Sequence, residues 1–204
     1  MGIVIGIDVG ISTTKIVGIV EQGKVLSPIR IKATDPVTSL YGAFGKFLYV
    51  NKIQLQDIEK VMLTGVGSAY INEPIYNLPT EKAEEFIADG LGARYETKLD
   101  RMIVVSMGTG TSIVKCDGED IKHIGGIGIG GGTLQGLSRL LLKTDDILQV
   151  SKLAEEGDVA HINLLIKDIS AKPLPGLPMD AIASLCGNAK SNASREDIAI
   201  GLIW

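Results

Sequence analysis

Long apolar runs, clustered basic residues, aromatic side chains and paired cysteines are all scarce in this chain, and each scarcity removes a class of function. No apolar run reaches the ~20 residues that a membrane-spanning helix needs. No Lys/Arg block exceeds a dipeptide, and 20 basic residues against 24 acidic ones leave a formal charge of −4. With a pI near 5.2 there is no electrostatic footprint for nucleic acid. The two cysteines, Cys116 and Cys186, lack CxxC spacing and a histidine-rich context, so they define no metal site and point to a reducing compartment. Aromatic residues make up 4% of the chain, so turns and close backbone approaches must carry more of its architecture than ring packing. The first eight residues are apolar but end in Asp8 and lack the basic flank of a signal peptide, which predicts a buried strand. The expectation is a soluble cytoplasmic protein that handles a small molecule, with no nucleic-acid or membrane partner.

Glycine, in contrast, is abundant at 25 of 204 residues, and 45% hydrophobic content suffices for one or two cores. Ile3–Ile7, Lys15–Val20 and Val25–Ile31 are β-branched runs, the last two separated by the turn Glu21-Gln22-Gly23-Lys24. Thr34-Asp35-Pro36 predicts a helix start, with Val37, Leu40, Tyr41, Phe44 and Leu48 at helical spacing behind it. A strand at Val61–Leu63 runs into Thr64-Gly65-Val66-Gly67, and a second helix is expected over roughly Glu81–Tyr95. From Met102 the pattern restarts: strand, glycine-rich turn, strand, the turn Asp117-Gly118, strand, glycine tract and a helix from about Thr133. The same order near 3–48 and 102–142 marks an internal structural repeat. Further on, Ile147–Glu156 reads as a helix and Lys172–Pro178 as an extended loop. Ser194 begins a capped helix through Asp197. The second copy is expected to stop short of the later strand and helix of the first.

Three glycine- or hydroxyl-rich turns carry chemistry. In Asp8-Val9-Gly10-Ile11-Ser12-Thr13-Thr14-Lys15 a carboxylate ends a strand, and a tight turn with hydroxyls leads to a lysine. Backbone N–H groups of such a turn nest phosphate oxygens, with Ser12 and Thr13 as added donors. Lys15 neutralises phosphate charge, and Asp8 can hold Mg²⁺ directly or through water. The bland alternative is an ordinary hairpin. Ser106-Met107-Gly108-Thr109-Gly110-Thr111-Ser112 offers the same chemistry at the equivalent point of the repeat. Gly126-x-Gly128-x-x-Gly131 matches a dinucleotide fingerprint formally, but Asp145 and Asp146 come too early and at a helix exit for the ribose-binding acid. The tract is still an anion site if its N–H groups open a helix. Glu85 is the best general-base candidate for a substrate hydroxyl, against the alternative of a solvated first-turn acid. His123 lies where a strand meets the glycine tract and is either over a transferred phosphate or structural. His161, beside Asp158, reads as a surface residue.

Together, Asp8-x-Gly10-x-Ser12-x-x-Lys15, Gly108-Thr109-Gly110-Thr111-Ser112 and Gly125 through Leu137 resemble the type II (eukaryotic-like, fumble) pantothenate kinases. The likeness runs over nearly the whole chain, including the Gly157-Asp158 and Pro175-Gly176 turns. The two phosphate turns alone resemble the wider actin/hexokinase/Hsp70 superfamily. The resemblance implies an α/β, actin/hexokinase-like (ribonuclease H-like) duplicated fold, with residues 1–100 as the first subdomain and 101–204 as a second, incomplete one. It implies ATP and Mg²⁺ as cofactors, pantothenate as acceptor, a homodimer, and CoA or acyl-CoA as a regulator. It makes Glu85 the catalytic glutamate and His123 a second catalytic residue, at the position of an arginine that steadies the transferring phosphate or binds substrate. Asp8, Gly10, Ser12, Thr13 and Lys15 become the first nucleotide loop, Gly108, Thr109, Gly110 and Thr111 the second, and Gly130, Gly131 and Gly132 a third contact. Glu85, Ser106, His123, Gly125 and Gly126 become the acceptor site. Three residues depart from the pattern: His123 replaces an arginine, Ile87 an aspartate and Ile11 a small residue. An adenosine-binding segment and a long dimer helix are expected beyond Trp204. Two other readings share the phosphate turns: an ATPase activator of a radical dehydratase, which needs cluster-binding cysteines, and a catalytically impaired nucleotide or acyl-CoA sensor.

Overall fold

Four buried side chains at alternate positions, Ile3, Ile5, Ile7 and Val9, make β1 (Ile3–Val9) the centre of the first sheet. The computed structural model describes residues 2–20, 23–33 and 35–204, so part of the 21–24 turn and the expected helix start at Thr34 lie outside the described residues. Antiparallel to β1 runs β2 (Thr13–Val20), and β3 (Ile29–Lys32) pairs with β2 on the far edge. On the other side β4 (Ile58–Thr64) and β5 (Thr80–Lys82) are parallel, giving the order β3-β2-β1-β4-β5. Helix α1 (Pro36–Asn51) covers one face. Its Leu40, Ala43, Phe44 and Phe47 fall at i, i+3, i+4 and i+7 and are fully buried. Removing a side chain of that size from water stabilises the fold by about 1.5–3 kcal/mol. Asp35 caps the helix by accepting from the Thr38 N–H at 2.7 Å, and Pro36 occupies the first turn, where its missing N–H costs nothing.

Two expectations are corrected here. The third strand begins at Ile29 rather than Val25, because the Asn51 side chain takes both backbone groups of Ser27 and Pro28 has no N–H to offer a ladder. The second helix begins at Glu85 rather than Glu81. Residues 80–82 are instead drawn into the sheet as β5, and a Lys60–Glu81 ion pair of 2.7 Å and the Ala83 N–H bond to Leu63 O fasten them there.

Helix α2 (Glu85–Thr97) packs Gly90 against Cys116 and Ile121 of a second, three-stranded sheet. That sheet, in the order β6-β7-β8, comprises β6 (Arg101–Met107), β7 (Thr111–Asp117) and β8 (Asp120–Ile127). Arg94 donates to Gly118 O at 2.6 Å across the hairpin turn, and the Tyr95 hydroxyl donates to Gly23 O. The β8 strand runs further than expected, so His123 is a mid-strand residue and Gly125 and Gly126 are strand residues.

The chain divides into two compact units: residues through Ser106 with Ser112–Gly126, and Met107–Thr111 with Ile127–Trp204. In the second unit α3 (Gly131–Leu142), α4 (Ile147–Ala154) and a C-terminal helix enclose a small core of Leu142, Val150, Ala154 and Ala199. Between them lie β9 (Leu164–Leu165), α5 (Ile166–Ile169) and β10 (Ile182–Ser184), with β9 and β10 antiparallel. The C-terminal helix α6 (Arg195–Ile203) has the expected capping box, Ser194 accepting from the Asp197 N–H at 3.0 Å. The 172–178 segment closes into a tight turn rather than an extended loop: Leu177 N–H reaches Leu174 O at 3.1 Å, and Gly176 supplies φ of 78°.

Candidate functional site

In the first unit the strand alternation leaves one sheet face apolar and packed under α1, and sends Gly6, Asp8, Lys15 and Val17 to the other. A cavity of about 470 Å³ opens over that second face, with Asp8, Lys15 and Glu85 in its lining. Asp8 and Lys15 are direct neighbours in the β1–β2 register, and the ammonium contacts the carboxylate at 2.6 Å. The turn between them is closed by the Gly10 N–H to Thr13 O, 3.1 Å, and its far side is held by Ala33 N–H to Ser12 O. Thr14, fully buried, has a hydroxyl with no hydrogen-bond partner among the described residues, as does Thr64.

Glu85 opens α2 at the edge of the same cavity. Its carboxyl is pushed above the ordinary carboxylate range, first by partial withdrawal from water and then by the negative charges of Asp8 and Asp89. Lys15 and a hydrogen bond from the Val66 N–H oppose that shift. Val66 is placed by Gly65, which holds φ at 84°. A Cβ on Gly65 would collide with Asp8 Oδ1 and lie 2.7 Å from Val9 O. Gly65 and Val66 are the residues that sequence reasoning missed. The glycine turn after β4 was visible, but nothing in the sequence ties it to an acid 19 residues later.

His123 stacks on Phe86, with ring centroids 4.2 Å apart and planes 19° from parallel. Phe86 is the next residue after Glu85, so the imidazole packs on the first turn of the helix that carries the acid. Ser106 sits on β6, and Gly125 and Gly126 on β8, of the sheet that bears His123.

In the second unit the Gly108–Thr111 turn is interlocked with the glycine tract. Gly131 and Gly132 N–H groups donate to Gly108 O and Thr109 O, both at 2.9 Å, and Thr111 Oγ1 donates to Ile129 O at 2.7 Å. A Cβ on Gly130 would come within 2.8 Å of three Gly110 backbone atoms. The first amides of α3 therefore brace the turn.

His161 is more than a surface residue. Its Nδ1 lies 3.0 Å from Asp197 Oδ2, and Asp197 also accepts from the N–H groups of Asp158 and Ser194. Among the described residues no group of three His, Cys, Asp or Glu side chains is arranged to hold a metal, and no helix is long and apolar enough to cross a membrane. Cys116 is buried in β7 and Cys186 is exposed; both are free thiols.

A sheet of mixed direction with a glycine–hydroxyl turn after β1, and a second such turn after β6, is the α/β architecture of actin/hexokinase-like proteins. Solved structures agree. The chain superposes on the activator of 2-hydroxyisocaproyl-CoA dehydratase from Clostridium difficile with TM-score 0.66, 16% identity, and 98% of this chain and 70% of that one covered. With a ROK family glucokinase from Streptomyces griseus the TM-score is 0.51 at 14% identity, covering 77% and 66%. At these identities the likeness defines the fold.

The chain belongs to the Fumble family, whose model matches residues 81–201. It is 33% identical over 189 residues to a type II pantothenate kinase of Staphylococcus aureus (strain USA300), covering 90% of this chain. It spans 66% of that relative's length.

Proposed function

We propose that the protein is a pantothenate kinase, transferring the γ-phosphoryl group of ATP to the primary hydroxyl of pantothenate in coenzyme A biosynthesis. The observation that carries the reading is Glu85: a carboxylate at the start of α2, on the wall of the cavity that holds the Asp8–Lys15 pair. Family membership and the kinase relatives supply the reaction class.

In this reading the acceptor hydroxyl lies against Glu85. As its oxygen forms a bond to the γ-phosphorus, the bond from that phosphorus to the ADP oxygen breaks and the hydroxyl proton passes to the carboxylate. The raised affinity of Glu85 for a proton is in the direction that favours accepting one from the hydroxyl. Asp8, Gly10, Ser12, Thr13 and Lys15 are the phosphate-gripping turn of the first unit. Gly108, Thr109, Gly110 and Thr111 are that of the second, braced by Gly130, Gly131 and Gly132. Ser106, His123, Gly125 and Gly126 are assigned to the acceptor.

Mg²⁺ fits Asp8, because this ion takes one or two carboxylates and completes its shell with water and phosphate oxygens. The Asp8 carboxylate is partly solvent-accessible, and the unpartnered Thr64 hydroxyl lies beside it in the register. When bound, the ion would neutralise phosphate charge. A homodimer, cytoplasmic location and feedback by CoA thioesters accompany this reading.

The test is ADP release by the full-length protein, coupled to a reporter enzyme, with and without pantothenate. Pantothenate-dependent turnover that falls at least about a hundredfold in Glu85→Gln supports it. Absence of turnover in the unmodified enzyme sinks it.

A further inference from the structure

Strand β4 ends on a hydroxyl that its surroundings leave unsatisfied. Thr64 Oγ1 is enclosed from water and has no hydrogen-bond partner among the described residues. The direct partner of Thr64 in the parallel β1–β4 register is Asp8, and both residues line the cavity over the open face of the sheet. Backbones so paired lie about 5 Å apart, within reach of a hydroxyl and a carboxylate on the same face. Asp8 gives one oxygen, Oδ2, to Lys15 on the opposite flank of β1, at 2.6 Å, and rests the other, Oδ1, against Gly65.

An enclosed donor without an acceptor destabilises a fold. Valine would fill the same volume at the end of β4, suits a strand as well, and would remove the donor. Two other enclosed hydroxyls share the condition, those of Thr14 and Ser138, but both residues are fully buried and neither lines the cavity. Thr64 differs from them in having a carboxylate as its neighbour in register. The hold of Lys15 on that carboxylate is the weak point: the lysine side chain is 54% exposed, and ion pairs so open are weak. A polyphosphate offers the ammonium several negative charges at once.

We propose that Thr64 is a positioning residue for Asp8: its hydroxyl takes the carboxylate when nucleotide phosphates draw Lys15 away, and fixes the orientation in which Asp8 receives Mg²⁺ or its water shell. The exchange needs only rotation of the Asp8 side chain toward β4, and it makes a charge-assisted hydrogen bond where the hydroxyl had none. The inference rests on the kinase reading for the nucleotide and the ion; the change of partner stands on the register and the enclosed hydroxyl.

The experiment uses the full-length protein and the variants Thr64→Val, Thr64→Ser, Asp8→Asn and Ser138→Ala. Calorimetry measures affinity for ATP with excess Mg²⁺ and with EDTA, and a thermal melt without ligand reads the fold. The expected result is that Thr64→Val reduces the gain in ATP affinity conferred by Mg²⁺ about tenfold, or ~1.4 kcal/mol. Its melting temperature stays the same or rises, which a merely structural hydroxyl would not allow. Thr64→Ser keeps most of the gain. Added to Asp8→Asn, Thr64→Val has no further effect, as expected of two residues that act as one unit. Ser138→Ala, which also removes an enclosed hydroxyl, leaves the gain intact. An unaltered Mg²⁺ gain in Thr64→Val overturns the positioning role and leaves the kinase reading standing, and so does a loss that persists undiminished on top of Asp8→Asn. A gain that depends on Thr64 and Asp8 in a protein that phosphorylates no pantothenate keeps the positioning role and sinks the kinase reading. ATP affinity indifferent to Mg²⁺ in the unmodified protein overturns the inference outright.

Discussion

The backbone N–H of Val66 faces the carboxylate of Glu85 and favours its charged form, across a gap of 19 residues in the chain. This approach relates the first turn of α2 to the turn that follows β4, at the cavity that Asp8 and Glu85 both line. Gly65 makes it possible, because only glycine takes the left-handed backbone there without pressing on Asp8 and Val9. Gly65→Ala is expected to lower kcat while leaving the KM for ATP within about threefold, and to cost about 1–3 kcal/mol of stability. Steady-state kinetics alongside a urea melt reads both. A variant with unaltered kcat would show that the turn does not position the acid.

The pH dependence follows from the charges around Glu85. Its affinity for a proton is raised by burial and by Asp8 and Asp89, and a general base works only when deprotonated. The acidic limb of kcat/KM for pantothenate should therefore lie above the ordinary carboxylate range. Asp89→Asn removes one negative neighbour, so the proton leaves Glu85 more readily and the limb moves to lower pH. Movement to higher pH would contradict the electrostatic account.

His123 packs flat on Phe86, and such a ring pair contributes about 0.5–1.5 kcal/mol beyond its buried area. His123→Ala should lower kcat more than it raises the KM for ATP, because it loosens the turn that carries Glu85. His123→Arg tests whether the histidine impairs the site. In a working kinase the exchange is expected to change kcat by less than about tenfold, or ~1.4 kcal/mol in barrier. A gain of several orders of magnitude would mark the natural chain as a sensor with an impaired site.

Gly130→Ala places a methyl group 2.8 Å from three backbone atoms of Gly110. Overpacking of this kind costs about 1–3 kcal/mol. The variant is expected to melt earlier and to bind ATP more weakly, read by thermal shift with and without nucleotide. An undiminished nucleotide-induced shift would separate the glycine tract from nucleotide binding.

Asp197 is held well below the ordinary carboxylate range, first by the Asp158 N–H, then by the Ser194 N–H and His161. A carboxylate whose folded pKa is depressed contributes stability that is complete above its unfolded value of 3.8 and is lost as pH falls toward the folded one. Asp197→Asn should be less stable than the natural protein at neutral pH, and the gap should close progressively below pH 3.8. Denaturant melts at several pH values measure it. A gap independent of pH would assign the effect to shape rather than charge.

Much of the first unit was legible because its rules are local. β-Branched runs, the Asp35-Pro36 start and the Leu40 and Phe44 spacing specify strands and helix through neighbours in sequence, although the buried stripe takes in Ala43 and Phe47 and leaves the expected Val37 exposed. The errors fall where a distant group intervened: Asn51 captured the backbone of Ser27, and β4 drew residues 80–82 into the sheet. His161 looked like a surface residue because its partner, Asp197, is 36 residues away.

Residue types and their short-range spacing alone determined that this chain has buried β-branched strands, glycine–hydroxyl turns after two of them, and an acid near the start of a helix. Those follow from steric and periodic constraints that act within a few residues. Only the tertiary structure decided that Val66 faces Glu85, that His123 lies on Phe86, and that Thr64, Asp8, Lys15 and Arg30 form one row. Strand order and register set these contacts, and pairing between strands distant in sequence is chosen by the packing of the whole sheet, which no local pattern encodes.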